Sequence, residues 1–242
     1  MKIALIGYGK MGKAIEKIAL EKGHEILLKI NSENLNELTI QNLQKVDVAI
    51  EFSNPENAYN NIKLCLQAQI PVVSGSTGWT NNNQLSEIES YCNDVNGTFL
   101  HASNFSIGVN IFFAINEKLA SLMAERNEYD VSIKEIHHTQ KKDAPSGTAI
   151  TIAEGIIKNN PIKNEWHVGS NNLNDSVIAI NSIRQDPAPG THIVTYHSTV
   201  DSIEITHTAH NREGFANGAV LAAGFLIGKF GVFKMRDVLN IL

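Results

Sequence analysis

The stretch Lys2-Ile3-Ala4-Leu5-Ile6-Gly7-Tyr8-Gly9-Lys10-Met11-Gly12 decides the fold. A short apolar run ends in a complete G-x-G-x-x-G, and an amphipathic helical pattern, Met11–Lys22, follows without a gap. In that setting each glycine has a task. Gly7 permits the tight turn, Gly9 lets backbone amides approach a pyrophosphate, and Gly12 lets helix and strand pack closely. The helix N-terminus then faces the phosphates with its N–H groups and the positive end of its dipole. Strand, spacing and helix together predict a dinucleotide site on Gly7, Tyr8, Gly9, Lys10, Met11 and Gly12.

Outward from this turn the first hundred residues alternate apolar runs with helical patterns, as a parallel sheet covered by helices requires. The runs predict strands at Lys2–Ile6, Glu25–Ile30, Val46–Glu51, Val72–Ser74 and Thr98–Ala102. Helices are expected at Met11–Lys22, Pro55–Gln69 and Gln84–Asn93, the second with Ser53 as N-cap and Pro55 in its first turn. Asn31–Lys45 reads as a short helix or a loop. Two further loops follow strands on the same sheet edge, Gly75-Ser76-Thr77-Gly78 and Ser103-Asn104-Phe105-Ser106, and both are expected to face the cofactor. An acidic residue that would hold the ribose 2′-OH is absent after the second strand, where Lys29-Ile30-Asn31-Ser32-Glu33 stands. Asn31 can hydrogen-bond a ribose and Lys29 can accept a 2′-phosphate, so NADH and NADPH are both admitted.

The pattern then changes. Ile107–Glu125 reads as a long amphipathic helix, and the alternating runs Tyr129–His137, Val177–Arg184, His192–Ser198 and Ser202–Thr208 predict a second, mostly antiparallel sheet. Asn159–Asp175 reads as an exposed loop, Gly214–Lys229 as an apolar helix, and Met235–Leu242 as a cap returning to the first domain.

The sharpest chemistry lies in Glu135-Ile136-His137-His138-Thr139-Gln140-Lys141-Lys142-Asp143-Ala144-Pro145-Ser146-Gly147-Thr148. Here a strand ends and a helix begins. A substrate carboxylate can dock on the first-turn amides of Gly147 and Thr148 while Lys141, His137 and His138 face the reacting carbons as proton donors. A carboxylated substrate is the expectation. Metal binding is not expected, because adjacent histidines point opposite ways on a strand and no carboxylate-cysteine cluster completes a site. His101, His192, His197, His207 and His210 stand singly; among these His192, with Arg184, is placed to meet a second carboxylate at a strand end.

Composition narrows the field. The chain has 242 residues, 20 Lys+Arg against 25 Asp+Glu, and no basic block to neutralise a run of phosphates, so nucleic acid is an unexpected partner. No run approaches the roughly 20 apolar residues of a membrane span, and Ile3–Ile6 is too short for a signal segment, so a cytoplasmic location is expected. Cys65 and Cys92, on helical segments, read as semi-buried small hydrophobes rather than nucleophiles.

Taken together, these segments strongly resemble the dihydrodipicolinate (4-hydroxy-tetrahydrodipicolinate) reductase family of the diaminopimelate route to lysine. The likeness spans nearly the whole chain. It rests on Gly7 to Gly12, Gly75 to Gly78, Ala102-Ser103-Asn104-Phe105-Ser106-Ile107-Gly108-Val109-Asn110, the Glu135 to Thr148 block and Phe215-Ala216-Asn217-Gly218-Ala219-Val220. The resemblance implies a Rossmann domain of residues 1–104 and 213–242, and a central α+β substrate and oligomerisation domain of residues 105–212 with a mostly antiparallel or mixed open sheet, building a homotetramer. It implies His137 as proton donor/acceptor, Lys141 as second donor, His138, Gly147 and Thr148 as substrate contacts, and Gly75, Ser76, Thr77, Ala102, Ser103, Asn104 and Phe105 flanking NADH or NADPH. Arg184, Gly190 and His192 fit the family pattern; Gln185-Asp186-Pro187-Ala188-Pro189 and Asn31 depart from it.

Two rival classes have specific weaknesses. An acylating semialdehyde dehydrogenase needs a cysteine beyond a strand's carboxyl end, which neither Cys65 nor Cys92 supplies, and a sugar oxidoreductase gives no reason for the anion-binding helix start. A redox-sensing regulator would want a DNA-binding module or basic face, and the sequence has no such pattern.

Overall fold

A computed structural model describes residues 1–80, 83–169, 174–211 and 213–241. It separates into two compact units, Met1–Ile107 with Glu213–Leu242, and Gly108–Arg212. In chain order the first unit carries β1 (Lys2–Ile6), α1 (Lys10–Glu21), β2 (Glu25–Ile30), α2 (Ile40–Leu43), β3 (Val48–Glu51), α3 (Pro55–Gln67), β4 (Val72–Ser74), α4 (Gln84–Asp94) and β5 (Thr98–His101). Next come α5 (Ile107–Met123), β6 (Asp130–His137), α6 (Gly147–Asn159), β7 (Glu165–Val168), β8 (Val177–Arg184), β9 (Thr191–His197) and β10 (Ser202–Thr208). The chain returns to the first unit with α7 (Glu213–Leu226), β11 (Gly231–Phe233) and α8 (Met235–Val238).

The first unit is a Rossmann-type sheet in the order β11-β5-β4-β3-β1-β2, with every pairing parallel. Its central strands are apolar without interruption because both faces are covered. Along β1 successive side chains enter opposite cores: Ile3 and Leu5 pack with Ile15 of α1 and Ala219 and Ala223 of α7, whereas Ala4 and Ile6 pack with Ile62 of α3. Cys65 and Cys92, more buried than the sequence implied, are fully enclosed in that second core. Burial pushes the Cys92 thiol up to about 11 and that of Cys65 higher still, so neither is a thiolate at neutral pH.

Small residues let α7 lie close to the sheet. A Cβ added at Gly218 would stand 1.7 Å from the backbone oxygen of Phe105, a contact neither helix nor loop can absorb without moving. Gly218→Ala is expected to cost about 3 kcal/mol through overpacking, read as a lowered midpoint in urea unfolding.

The sequence misplaced some details here. Asn54, not Ser53, caps α3, its side chain accepting from Asn57 N at 3.0 Å. Asn31–Lys45 contains a 3-10 turn at Leu35–Glu37 and the one-turn α2. The edge strand β11 was missed; three residues, all only half-buried, carry no periodic signal. At the C-terminus Met235 is buried among α7 residues, while Leu242 lies outside the described residues.

The second unit is a mixed sheet, β10-β9-β6-β8-β7. Pairings β10/β9 and β9/β6 are antiparallel, β6/β8 and β8/β7 parallel, so the mostly antiparallel expectation gives way to an even division. Helix α6 carries the chain back along one face after β6, so that β7 runs parallel to β6 at the sheet edge with β8 between them. β7 sits inside the stretch expected to be loop; it is a largely exposed edge strand lacking alternation, and residues 170–173 of that stretch lie outside those described. β6 alternates strictly, with Val131 and Ile133 in the core beneath α6. Two steps further the same buried face carries Glu135 and His137, polar groups where the pattern calls for apolar ones.

Candidate functional site

In the first unit the glycine turn stands where the sequence put it, between β1 and α1 at the carboxyl edge of the sheet. Gly7 adopts φ +97°, and a Cβ there would lie 2.1 Å from the Phe52 backbone oxygen. A Cβ at Gly12 would lie 2.4 Å from the Gly7 oxygen, whereas one at Gly9 meets nothing within 4 Å. Gly7 and Gly12 are therefore required by the chain itself, and Gly9 keeps open the space that a pyrophosphate needs. A cleft of about 320 Å³ opens beside it, lined by Gly7, Tyr8, Gly9, Asn31, Ser32 and Asn54 among others. Lys10 is exposed, and Met11 packs against the core below. These residues fit a dinucleotide.

Lys29 is already engaged: its Nζ lies 2.8 Å from Glu16 Oε1 and over the Tyr8 ring, and Tyr8 donates to the other Glu16 oxygen. The Asn31 side-chain oxygen accepts from Glu33 N at 2.7 Å in an Asx-type turn, and the residue lines the cleft.

A second acidic residue, unremarked in the sequence, builds the loops beside this turn. Glu51, at the end of β3, is fully buried, and one oxygen accepts from Ser53 N at 2.9 Å, Ser76 Oγ at 2.9 Å and the Ser53 hydroxyl, while the other accepts from Ser74 Oγ at 2.8 Å. One carboxylate so joins the loops after β3 and β4. The Phe52 ring lies against Gly75, where a Cβ would be 2.2 Å from it, and meets Phe105 at 5.4 Å between centroids. Ala102 N donates to Ser74 O at 3.2 Å, tying in the loop after β5. Gly75, Ser76, Thr77, Ala102, Ser103, Asn104 and Phe105 are thereby brought to one sheet edge with the glycine turn, but Ser76, Asn104 and Phe105 are buried; Thr77 and Ser103 are exposed. Removing the shared acceptor in Glu51→Ala should cost about 3 kcal/mol by orphaning its donors, with a several-fold higher KM for cofactor. Glu51→Gln should cost about 1 kcal/mol, one acceptor oxygen being kept.

In the second unit the sheet register assembles a polar cluster. Glu135 of β6 pairs with His192 of β9 on one side and Ser182 of β8 on the other, and His137 pairs with Arg184 one row on. Directly paired residues share a face, so these side chains gather on the face that α6 covers. The fully buried Glu135 accepts from Arg184 Nη2 at 3.0 Å on Oε1 and from Ser146 N at 3.1 Å on both oxygens. His137 Nδ1 is 3.3 Å and His192 Nε2 3.7 Å from Oε2. Burial pushes the Glu135 carboxyl up, but the surrounding His137, Ser146, Ser182 and Arg184 outweigh it and hold the group far below the usual carboxylate range. Burial, with His137 adding to it, drives His192 down to about 3, so that ring is neutral.

Ser146 is both N-cap and connector: its Oγ accepts from Ala149 N at 3.2 Å and lies 3.1 Å from His192 Nε2. Of the three residues expected to open α6, Ser146 thus spends its amide on Glu135; Gly147 is exposed, with open space around it, and Thr148 is half-buried in the first turn. Lys141 is held by Asp143 at 2.7 and 2.9 Å, and the carboxyl of Asp143, pushed up by burial, is brought below its ordinary value by that hydrogen bond and the nearby cations. Arg184 also donates to the carbonyls of Lys141 and Asp143, fixing the loop between β6 and α6. The unfamiliar 185–189 loop does related work: Asp186 accepts from Thr139 Oγ1 at 2.5 Å and Gln185 N donates to His137 O at 2.8 Å.

His137, Lys141, Gly147 and Thr148 therefore belong to one end of the sheet, and His138 follows as a half-buried residue just past β6. His192 and Arg184 do meet a carboxylate, but it is the chain's own Glu135. Glu135, His137 and His192 also form a grouping with ligand-like spacing that the sequence reading did not find. The guanidinium and amide donors already on that carboxylate favour an ion-pair core over a cation site.

Two family models match. That described as dihydrodipicolinate reductase, N-terminus, covers residues 1–105, and that described as dihydrodipicolinate reductase, C-terminus, covers residues 108–239. The 4-hydroxy-tetrahydrodipicolinate reductase of Christiangramia forsetii is 46% identical over 99% of this chain and 98% of its own length. That of Alkaliphilus oremlandii is 33% identical over 97% and 96%. Among solved structures, a dipicolinate-bound dihydrodipicolinate reductase from Paenisporosarcina sp. TG-14 aligns over the whole of both chains with a TM-score of 0.77 at 25% identity. With its parallel dinucleotide-type sheet, its mixed second sheet and matches along almost its entire length, the chain belongs to the dihydrodipicolinate reductase family.

Proposed function

We propose that this protein reduces 4-hydroxy-tetrahydrodipicolinate to tetrahydrodipicolinate with NADH or NADPH, in the diaminopimelate route to lysine. The observation that carries the reading is the end of β6, where His137, Lys141 and the start of α6 at Gly147 and Thr148 share one loop that Arg184 clamps. The first unit is the dinucleotide-binding domain and the second the substrate domain.

Gly7 to Gly12 hold the pyrophosphate through backbone amides, and the backbone of Gly75 to Thr77 and Ala102 to Phe105 flanks the cofactor. When bound, the reduced nicotinamide supplies the hydride. The amides of Gly147 and Thr148, with the α6 dipole behind them, hold a substrate carboxylate, and His138 contacts the substrate. The C4 hydroxyl leaves as water with a proton from the neighbouring carbon, giving a double bond conjugated with the imine; C4 then gains the hydride and the neighbouring carbon takes a proton. His137 and Lys141 deliver the protons and offset the negative charge that develops on the conjugated imine system. To reach substrate, Lys141 exchanges its Asp143 partner for the ligand.

A homotetramer in the cytoplasm completes the proposal. Its support is the second unit's sheet, whose face opposite α6 exposes Ser132 and Lys134 of β6 and leaves Ile193 and Thr195 of β9 half-covered; sedimentation velocity measures it. No helix among the described residues is long and apolar enough to cross a membrane.

The test is a coupled assay with freshly generated substrate, run with NADH and NADPH separately and against a panel of sugars. Oxidation of either cofactor only with the cyclic dicarboxylate is expected. Turnover of sugars alone, or cofactor binding without oxidation, would overturn the reading.

A further inference from the structure

The buried carboxylate beneath His137 has no role in the scheme above, yet its geometry bears directly on that ring. His137 Nδ1 is buried, has no regular hydrogen-bond partner among the described residues, and lies 3.3 Å from Glu135 Oε2. A bare ring nitrogen would set its lone pair against an ionised carboxylate, whereas an N–H there meets the nearest acceptor. The carboxylate itself cannot turn away. Arg184 fixes Oε1 and the Ser146 amide straddles both oxygens, so Oε2 is presented to His137 by groups from β8 and α6. On the other side of the ring Gly190 lies close, where a Cβ would stand 3.1 Å from His137 Nε2, so only a glycine leaves that nitrogen uncrowded.

We infer that Glu135 is a positioning residue that holds His137 as the Nδ1–H tautomer, leaving Nε2 as the atom that exchanges a proton with substrate. Ser146 extends the same arrangement to the second imidazole. Its oxygen accepts from Ala149 N and lies 3.1 Å from His192 Nε2, so the second ring is tied to the α6 start rather than to Oε2 alone. Arg184 neutralises Glu135, so a proton arriving at His137 meets a carboxylate already anchored rather than one that must be desolvated afresh.

The inference rests on His137 being the proton-exchanging residue, and the experiment separates the two. Long-range proton–nitrogen NMR on protein labelled with ¹⁵N-histidine, at a pH where the ring is neutral, reads the His137 tautomer, with His137→Ala providing the assignment. Nδ1–H is expected in the native protein, and Nε2–H there would overturn the inference with no mutant needed. In Glu135→Gln the amide oxygen is claimed by Arg184 and Ser146, so its NH₂ faces Nδ1 and the tautomer should invert. kcat should fall about 100-fold with the KM of cofactor and substrate within a factor of about 3. An unchanged tautomer, or normal kcat, in a folded Glu135→Gln would also overturn it. Normal turnover in His137→Ala would instead sink the catalytic reading of His137 and leave the tautomer result standing on its own.

Discussion

Replacing His137 or Lys141 by alanine is expected to lower kcat by about 10²- to 10⁴-fold each, with the KM for NADH or NADPH changed by less than about 3-fold. The separation follows from where these side chains reside. Both belong to the second unit, at the end of β6 and on the loop after it, whereas the glycine turn, the Glu51-linked loops and the 320 Å³ cleft belong to the first. The double substitution should fall well short of the product of the two single effects, because both residues act on the charge that develops in one reduction step. Lys141→Arg is the informative control. Arginine keeps the cation and can satisfy Asp143, but it does not give up a proton in a protein, so rate should not return if Lys141 is a donor. Recovery with arginine would reassign Lys141 to electrostatic stabilisation alone. Steady-state kinetics with both substrates varied measure all four variants.

The second large effect is expected from one methyl group at Gly12, compared with the same group at Gly9. A Cβ at Gly12 would stand 2.4 Å from the Gly7 oxygen, so Gly12→Ala must push α1 off β1 and open the turn. Cofactor affinity should fall at least 10-fold, about 1.4 kcal/mol, and overpacking should lower stability by about 2 kcal/mol. At Gly9, φ is −90° and the Cβ meets nothing, so Gly9→Ala should leave the unfolding midpoint unchanged. It should still weaken cofactor binding, because the methyl occupies the space through which backbone amides approach the pyrophosphate. Isothermal calorimetry and denaturant unfolding on the same preparations distinguish the two. Equal losses of stability would mean that the turn has no preformed open side.

Local pattern carried much of this into view. The G-x-G-x-x-G between an apolar strand and a helix was legible because one short turn sets its spacing, although the Phe52 backbone that crowds Gly7 comes from just past the end of β3. The uninterrupted runs of β1 and β3 announced a sheet buried on both faces, and the alternation of β6 announced a sheet covered on one. His137, Lys141, Gly147 and Thr148 were legible as a group because one strand-to-helix connection holds them all. β7 and β11 were not, since short edge strands bury too little to need a periodic pattern.

What the sequence alone determined, then, were features whose physical cause is local: the glycine turn, the parallel sheet of the first unit, and the strand-to-helix segment that carries His137 and Lys141 beside a helix start. Only tertiary structure decided the partners of the buried acids. Glu51 reaches Ser74 and Ser76 from the adjacent strand and its loop, and Glu135 reaches Arg184, Ser146 and His192 through the register of three strands and the seat of α6. Linear spacing holds no record of such pairings, because a strand register brings together residues tens of positions apart, and burial in a low-dielectric core then makes their hydrogen bonds obligatory.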